Sequence, residues 1–221
     1  MSRNPPNPSP NKQKRKPKGK GEERLSEIKA TACELFNKLG YENVSTRMIA
    51  EHLGVSQPTI YHYYKSKDLI FLEIARESFD KYNEFMSYED DLDLSPMLWI
   101  KKMSNFFVGY SIKHPAEYKM AFMTIKFYTS PYVSIEEKNK NEQKKISFFL
   151  KFVEKFNEGI EQGYIRKNLG SAGDITQAFF GLLHGGISLR ALHPYNPWED
   201  PDKIIETQID IILHGIFNNY T

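Results

Sequence analysis

Residues 44–69 read VSTRMIAEHLGVSQPTIYHYYKSKDL, and this stretch decides the fold. Two short helical patterns meet in it at Gly54. Ser45 or Thr46 suits the N-cap of the first, because a side-chain oxygen there can accept from first-turn N–H groups that lack helical partners. Ile49, Ala50 and Leu53 then fall on one face at helical spacing. Gly54 ends that helix, since glycine tolerates a left-handed backbone. Ser56 suits the next N-cap, and Pro58 fits an early position where a missing N–H costs nothing. Ile60 and Tyr64 face inward, leaving Thr59, Tyr61, His62 and Tyr63 to supply polar or amphipathic groups on the other faces. Two helices joined by a short glycine-containing turn make a helix-turn-helix, whose second helix enters the DNA major groove.

Upstream, Leu25, Ile28, Ala32, Leu35, Phe36 and Leu39 recur at three- and four-residue steps, which predicts a helix from Glu22 to Leu39. Glu22 and Glu23 complement its N-terminal dipole and Lys38 its C-terminal end. This helix buttresses the pair and completes a three-helix unit. The ordered run Ala32, Leu35, Phe36, Gly40, Tyr41, then Ile49, Ala50, Gly54, Val55, Ser56, Thr59, Ile60, Tyr61, Tyr63, Tyr64, Ser66, Lys67, Asp68 and Leu69 resembles the tetracycline-repressor family of bacterial transcription regulators. The resemblance covers about Leu25 to Leu72, a quarter of the chain. Tyr64 departs from the usual Phe, and Cys33 stands where an aliphatic residue is common.

That resemblance implies an all-α protein, with the helix-turn-helix domain at residues 22–68 and a helical effector-binding and dimerisation domain at 69–221. It also implies the DNA contacts. Thr46 and Arg47 reach phosphates, with Arg47 placed to reach a base as well. Ser56 opens the reading helix. Gln57 both donates and accepts, as an adenine edge requires, and Pro58 and Thr59 pack on a thymine methyl. Tyr61 and Tyr63 bond phosphates through their hydroxyls, His62 contacts base or phosphate, and Lys67 clamps a phosphate.

The 221 residues, 40% hydrophobic and 14% aromatic, allow one large or two small domains with a sizeable core. A single cysteine excludes an intrachain disulfide framework and fits a cytoplasmic protein. No apolar run approaches the roughly 20 residues of a membrane span, so no membrane partner is expected. Residues 1–21 hold seven basic residues and no acid; against a whole-chain charge of +2, the remainder is net negative by five. So polar a segment cannot offset its ordering entropy and reads as a disordered tail. It is either an arm on phosphates or the minor groove, or a solubilising extension.

Beyond Leu69, apolar periodicity predicts helices to about Met86, then Met97–Ile112, Ala116–Tyr128, Ser134–Gly163, Asp174–Leu192 and Asp202–Phe217. The run EEKNKNEQKK at 136–145 reads as a solvated charge run. Aromatic and Met residues at helical spacing are ordinarily core. Their excess over aliphatics also fits an apolar pocket with a few orienting polar groups, for which Tyr82, Phe107, Tyr110, Tyr118, Phe122, Tyr128 and His184 are the candidates. In the resembled family the last two helices pair with their mates about a two-fold axis, which implicates Phe179, Leu182, Gly186, Leu189, Ile205, Ile209, Ile212 and Ile216. The six histidines show no metal-ligand spacing, and no cofactor or metal is expected.

Three functions follow from these readings. The first is a homodimeric repressor on a near-palindromic operator of double-stranded DNA, released by a small, largely apolar or aromatic effector. The second is a DNA-binding regulator without a small ligand, switched by a protein partner or acting as an activator. The third, an enzyme on a helical scaffold, lacks any convergent acid–base or nucleophile set in the sequence.

Overall fold

A computed structural model describes residues 21–87, 93–122, 130–192 and 201–218. The expected tail at 1–21 lies outside them except for Gly21, as do Tyr128 and the aspartates at 90 and 91. Among the described residues every regular element is helical, with one isolated antiparallel bridge between Ile165 and Phe217. The fold is all-α. Two compact units divide between Tyr64 and Lys65, four residues before the boundary expected from the sequence, so Lys67 belongs to the second unit.

The first unit holds α1 (Gly21–Leu39), a single 3-10 turn (Tyr41–Asn43), α2 (Thr46–His52) and α3 (Gln57–Tyr63). Its core is Ile28, Ala32, Leu35 and Phe36 of α1 with Val44, Ile49, Ala50, Ile60 and Tyr64. Phe36 lies against Tyr41, ring centroids 5.3 Å apart, which fixes the chain as it leaves α1. Gly40 turns that corner at φ 81°, and Gly54 turns the next at φ 65°.

The second unit holds α4 (Lys67–Ser87), α5 (Pro96–Lys113), α6 (Pro115–Phe122), α7 (Ile135–Glu161), α8 (Ala172–Leu192) and α9 (Pro201–Ile216). Their starts are capped as the side chains dictate. Ser66 Oγ accepts from Leu69 N at 3.3 Å. Ser134 and Glu137 form a reciprocal capping box, each side chain accepting from the other's backbone N–H. Ser171 and Asp174 do the same at the start of α8, and the Ser171 hydroxyl, with its backbone N–H, donates to the Asp174 carboxyl and holds it below its usual pKa. The N-terminal ends of α5 and α8 lie one and two residues earlier than periodicity predicts: α5 opens on Pro96, where a missing N–H costs nothing, and α8 opens behind its Ser171–Asp174 box. α8 packs between α7 and α9, and α4 lies along α6. The core is dominated by rings: Phe79, Tyr82, Trp99, Phe107, Phe152, Phe156 and Phe179 are all buried.

Candidate functional site

The helix-turn-helix is built by backbone bonds that its sequence permits. Ser45 caps α2, its Oγ accepting from Met48 N at 3.2 Å. At the other end Gly54 N donates to Glu51 O at 3.1 Å and Val55 N to Ala50 O at 2.9 Å, a six-to-one closure that requires a left-handed residue at Gly54. Ser56 is the N-cap of α3 but makes no side-chain bond to its first turn. Pro58 removes one of the two N–H groups such a cap would use, and Ser56 Oγ instead pairs with the Thr59 hydroxyl at 2.8 Å.

The expected DNA contacts sort into three groups. Pro58, Tyr61 and His62 are exposed on α3, with Gln57, Thr59 and Tyr63 beside them; of these Thr59 and Tyr63 flank the buried Ile60. Arg47 stands on α2 with its side chain 75% exposed and its Nε donating to Glu51 Oε1 at 2.8 Å. That acid raises the Arg47 pKa and leaves the terminal nitrogens of the guanidinium to face solvent. Thr46 is different. It is buried, its hydroxyl accepts from Gln57 Nε2 at 3.1 Å and donates to the Tyr61 hydroxyl at 3.3 Å. Both roles of that hydroxyl are filled within the unit, so Thr46 braces α2 against α3. Tyr61, accepting from Thr46, keeps its own proton to donate to a phosphate oxygen. Beyond its bond to Thr46, Gln57 keeps a second amide N–H and its carbonyl oxygen, the donor and acceptor an adenine edge requires. Lys67 opens α4 and is half-buried in the second unit.

Six of the seven expected effector residues converge in the second unit; Tyr128 lies outside the described residues. Tyr82 is the hub. Its ring lies 5.8 Å from Phe107, 5.0 Å from Tyr110 and 5.0 Å from Phe122, all nearly edge-on. Phe107 also meets Tyr118 at 5.6 Å and His184 at 5.2 Å. The Tyr118 hydroxyl bonds His184 Nδ1. Phe79, Phe148 and Phe180, which the sequence did not single out, bring their rings to the same cluster. Burial lowers His184 to about 4, with a smaller contribution from the Lys145 charge, so the ring is neutral near pH 7. Burial pushes Tyr110 up to about 12 and raises Tyr82 and Tyr118 well above the ordinary phenol value, so all three keep their protons. A separate cleft of about 220 Å³ opens between α4, α5 and α7 over Met86, Trp99, Met103, Phe148 and Phe152, with Lys144 and Lys151 among its polar lining.

The residues expected at a dimer interface divide sharply. Phe179, Ile205, Ile209, Ile212 and Ile216 are buried in the core of their own unit, so they are not a docking face. Gly186 also serves an internal purpose, for a Cβ there would collide with the Gln208 side chain of α9, whose amide donates to Leu182 O. Leu182 and Leu189 are 52% and 60% exposed on α8. Gly181 and Gly185 lie exposed between and beside them, and a Cβ added at either would meet open space. Ile211 of α9, which periodicity did not single out, is 66% exposed.

A model of the family described as "Bacterial regulatory proteins, tetR family" matches residues 28–74, the segment from mid-α1 through the first turns of α4. The chain is 36% identical over 67 residues to the transcriptional repressor AcnR of Corynebacterium jeikeium, a match covering 30% of this chain and 35% of that one. The chain thus spans about a third of the length of that relative. It is 26% identical over 197 residues to the transcriptional repressor KstR2 of Mycobacterium tuberculosis, covering 87% of this chain and 92% of that one. The crystal structure of a tetR-family regulatory protein from Rhodococcus RHA1 superposes with a TM-score of 0.69 at 20% identity, over 86% of this chain and 95% of the other, a likeness of fold. Fold and motif together give residues 28–74 the helix-turn-helix of bacterial regulatory proteins, followed by an all-α second unit. The family this chain resembles, at its helix-turn-helix and in overall fold, is the tetR family.

Proposed function

We propose that this chain is a homodimeric repressor that reads a near-palindromic operator through α3 and is released by a small, largely apolar effector. The observation that carries the reading is the presentation of α3. Its inner side, Ile60, is fully buried, its base is braced by the Gln57–Thr46–Tyr61 bonds, and Pro58, Tyr61 and His62 stand exposed. A rigid helix with an exposed polar face is what groove reading requires. Repression is supported by the relatives AcnR and KstR2, both named as transcriptional repressors. Such a protein works in the cytoplasm, beside its DNA. The partner surface is the exposed row of Leu182, Gly185 and Leu189 on α8 with Ile211 on α9, apolar groups that a two-fold mate would cover.

A second reading, a regulator with no small ligand, is favoured by one observation: the six effector candidates already fill one another's space with ring contacts near 5 Å. Selection of operators from a random duplex library at fixed salt tests the first part. Enrichment of two inverted half-sites about one helical turn apart, roughly 34–36 Å, is the expected result. A library that stays random refutes it. Leu182→Glu combined with Leu189→Glu should shift the protein to monomer in light scattering and abolish binding to the full site.

A further inference from the structure

The aromatic cluster contains a fault that packing alone does not explain. Tyr82 is fully buried, and its hydroxyl has no hydrogen-bond partner among the described residues. An orphaned buried hydroxyl is costly, and a phenylalanine would fill the same space without it. The hydroxyl is not isolated from other polar groups: the Tyr110 and Tyr118 hydroxyls are close enough to act on it electrostatically. The Tyr118 hydroxyl is bonded to His184 Nδ1. A cation also faces this region. Lys145 is half-buried on α7, one turn before Phe148 and Phe149, whose rings join the cluster, and its charge reaches His184. Burial lowers the Lys145 pKa, which the nearby Glu142 offsets only in part. Glu142 does not close a pair through both its oxygens, because its Oε1 is buried with no hydrogen-bond partner. The cluster therefore holds an apolar wall of rings, an unused hydroxyl donor and a poorly solvated ammonium. Phe122 and His184, both only half-buried, form the edge through which it communicates with solvent.

We propose that this cluster is the effector site and that its ligand is a small apolar molecule ending in a carboxylate, received by the Tyr82 hydroxyl, the Tyr118–His184 pair and the Lys145 ammonium. The inference rests on the reading of the chain as an effector-released repressor. A carboxylate offers several lone pairs to donors arriving from different helices and adds to the negative charge that Glu142 supplies to Lys145 only in part, while the rest of the molecule replaces ring contacts with ring contacts.

Calorimetric titration of the full chain with 3-phenylpropionate and with its uncharged isostere 3-phenylpropionamide tests this. The acid should bind at least about tenfold tighter than the amide, a difference of one hydrogen bond to a charged group. Lys145→Met, which keeps the side-chain volume, should erase that preference, and Tyr82→Phe should weaken the acid several-fold without loss of folding. Equal binding of acid and amide, a preference that survives Lys145→Met, or no binding of either probe overturns the proposal. A parallel gel shift on the selected operator separates the two levels of inference. Acid that binds as described but leaves the operator complex intact upholds the site and refutes release by an effector; release by the amide and not the acid upholds effector control and refutes the carboxylate.

Discussion

Replacing Tyr82 by Phe should make the protein more stable, against the usual trend for a fully buried residue. The ring keeps its neighbours, since Phe79, Phe107, Tyr110, Phe122 and Phe148 all pack ring against ring with it, centroids 5.0–6.0 Å away. What is lost is a hydroxyl without a hydrogen-bond partner. Leaving such a group unsatisfied costs about 1–3 kcal/mol, and the substitution removes that cost while creating no cavity. For a unit the size of residues 65–221, each kcal/mol moves the midpoint by about 2–4 °C, so a rise of roughly 2–12 °C is expected in ligand-free protein. Tyr118→Phe makes the opposing control. Its hydroxyl is bonded to His184, and its removal leaves Nδ1 of a largely buried ring unpaired, so the midpoint should fall by a similar amount. Differential scanning calorimetry at pH 7.5 reads both. An unchanged or lowered midpoint for Tyr82→Phe would refute the reasoning, because it would mean the hydroxyl has a partner, such as an ordered water. The pairing of higher stability with weaker effector binding in one variant is the sign of a polar group kept for a ligand.

Acid should expose the burial of His184. Its folded pKa of about 4 lies below the ordinary 6.5, so the unfolded chain binds more protons between those values. Stability is then full above about pH 6.5 and falls as the pH drops towards 4, by up to about 3 kcal/mol, and His184→Gln should flatten that slope in denaturant titrations. Gly54→Ala should cost about 1–2 kcal/mol and weaken operator binding, although nothing crowds the site, because φ at Gly54 is 65° and an L side chain resists it; an unaffected midpoint would show that the turn can rearrange. Deleting residues 1–21 should weaken binding to all DNA sequences and reduce the slope of log K against log salt by up to about six, given seven basic residues at roughly 0.9 each. An unchanged slope would leave the tail a solubilising extension.

The helix-turn-helix is legible in the sequence because its determinants are local. A capping serine, a glycine at the turn and apolar residues three and four apart act within a few residues of one another, and each takes the place its spacing predicts. The bracing role of Thr46 is hidden for the opposite reason: its partners, Gln57 and Tyr61, come from the next helix, and periodicity says nothing about which hydroxyl is already engaged. The same limit explains α8 and α9. Both are apolar on more than one face, so spacing identifies the faces but not which of them the protein's own core consumes. Phe179, Ile205, Ile209, Ile212 and Ile216 went to the core, while Leu182, Leu189 and the unforeseen Ile211 stayed outside.

Lys145 is the more instructive omission. It ends a run of ten polar residues that reads as solvated surface, and a charge count over that run hides it. Its register shows otherwise. Positions 145, 148, 149 and 152 fall on one helical stripe, and the last three are phenylalanines packed in the core. A lysine that continues an aromatic stripe must carry its ammonium past buried rings, so burial of its stem and a weakened hold on its proton follow from spacing alone. Helical register thus marks the cation of that run placed to serve the aromatic cluster, and the orphaned Tyr82 hydroxyl, on another helix, marks where the polar end of its ligand must lie.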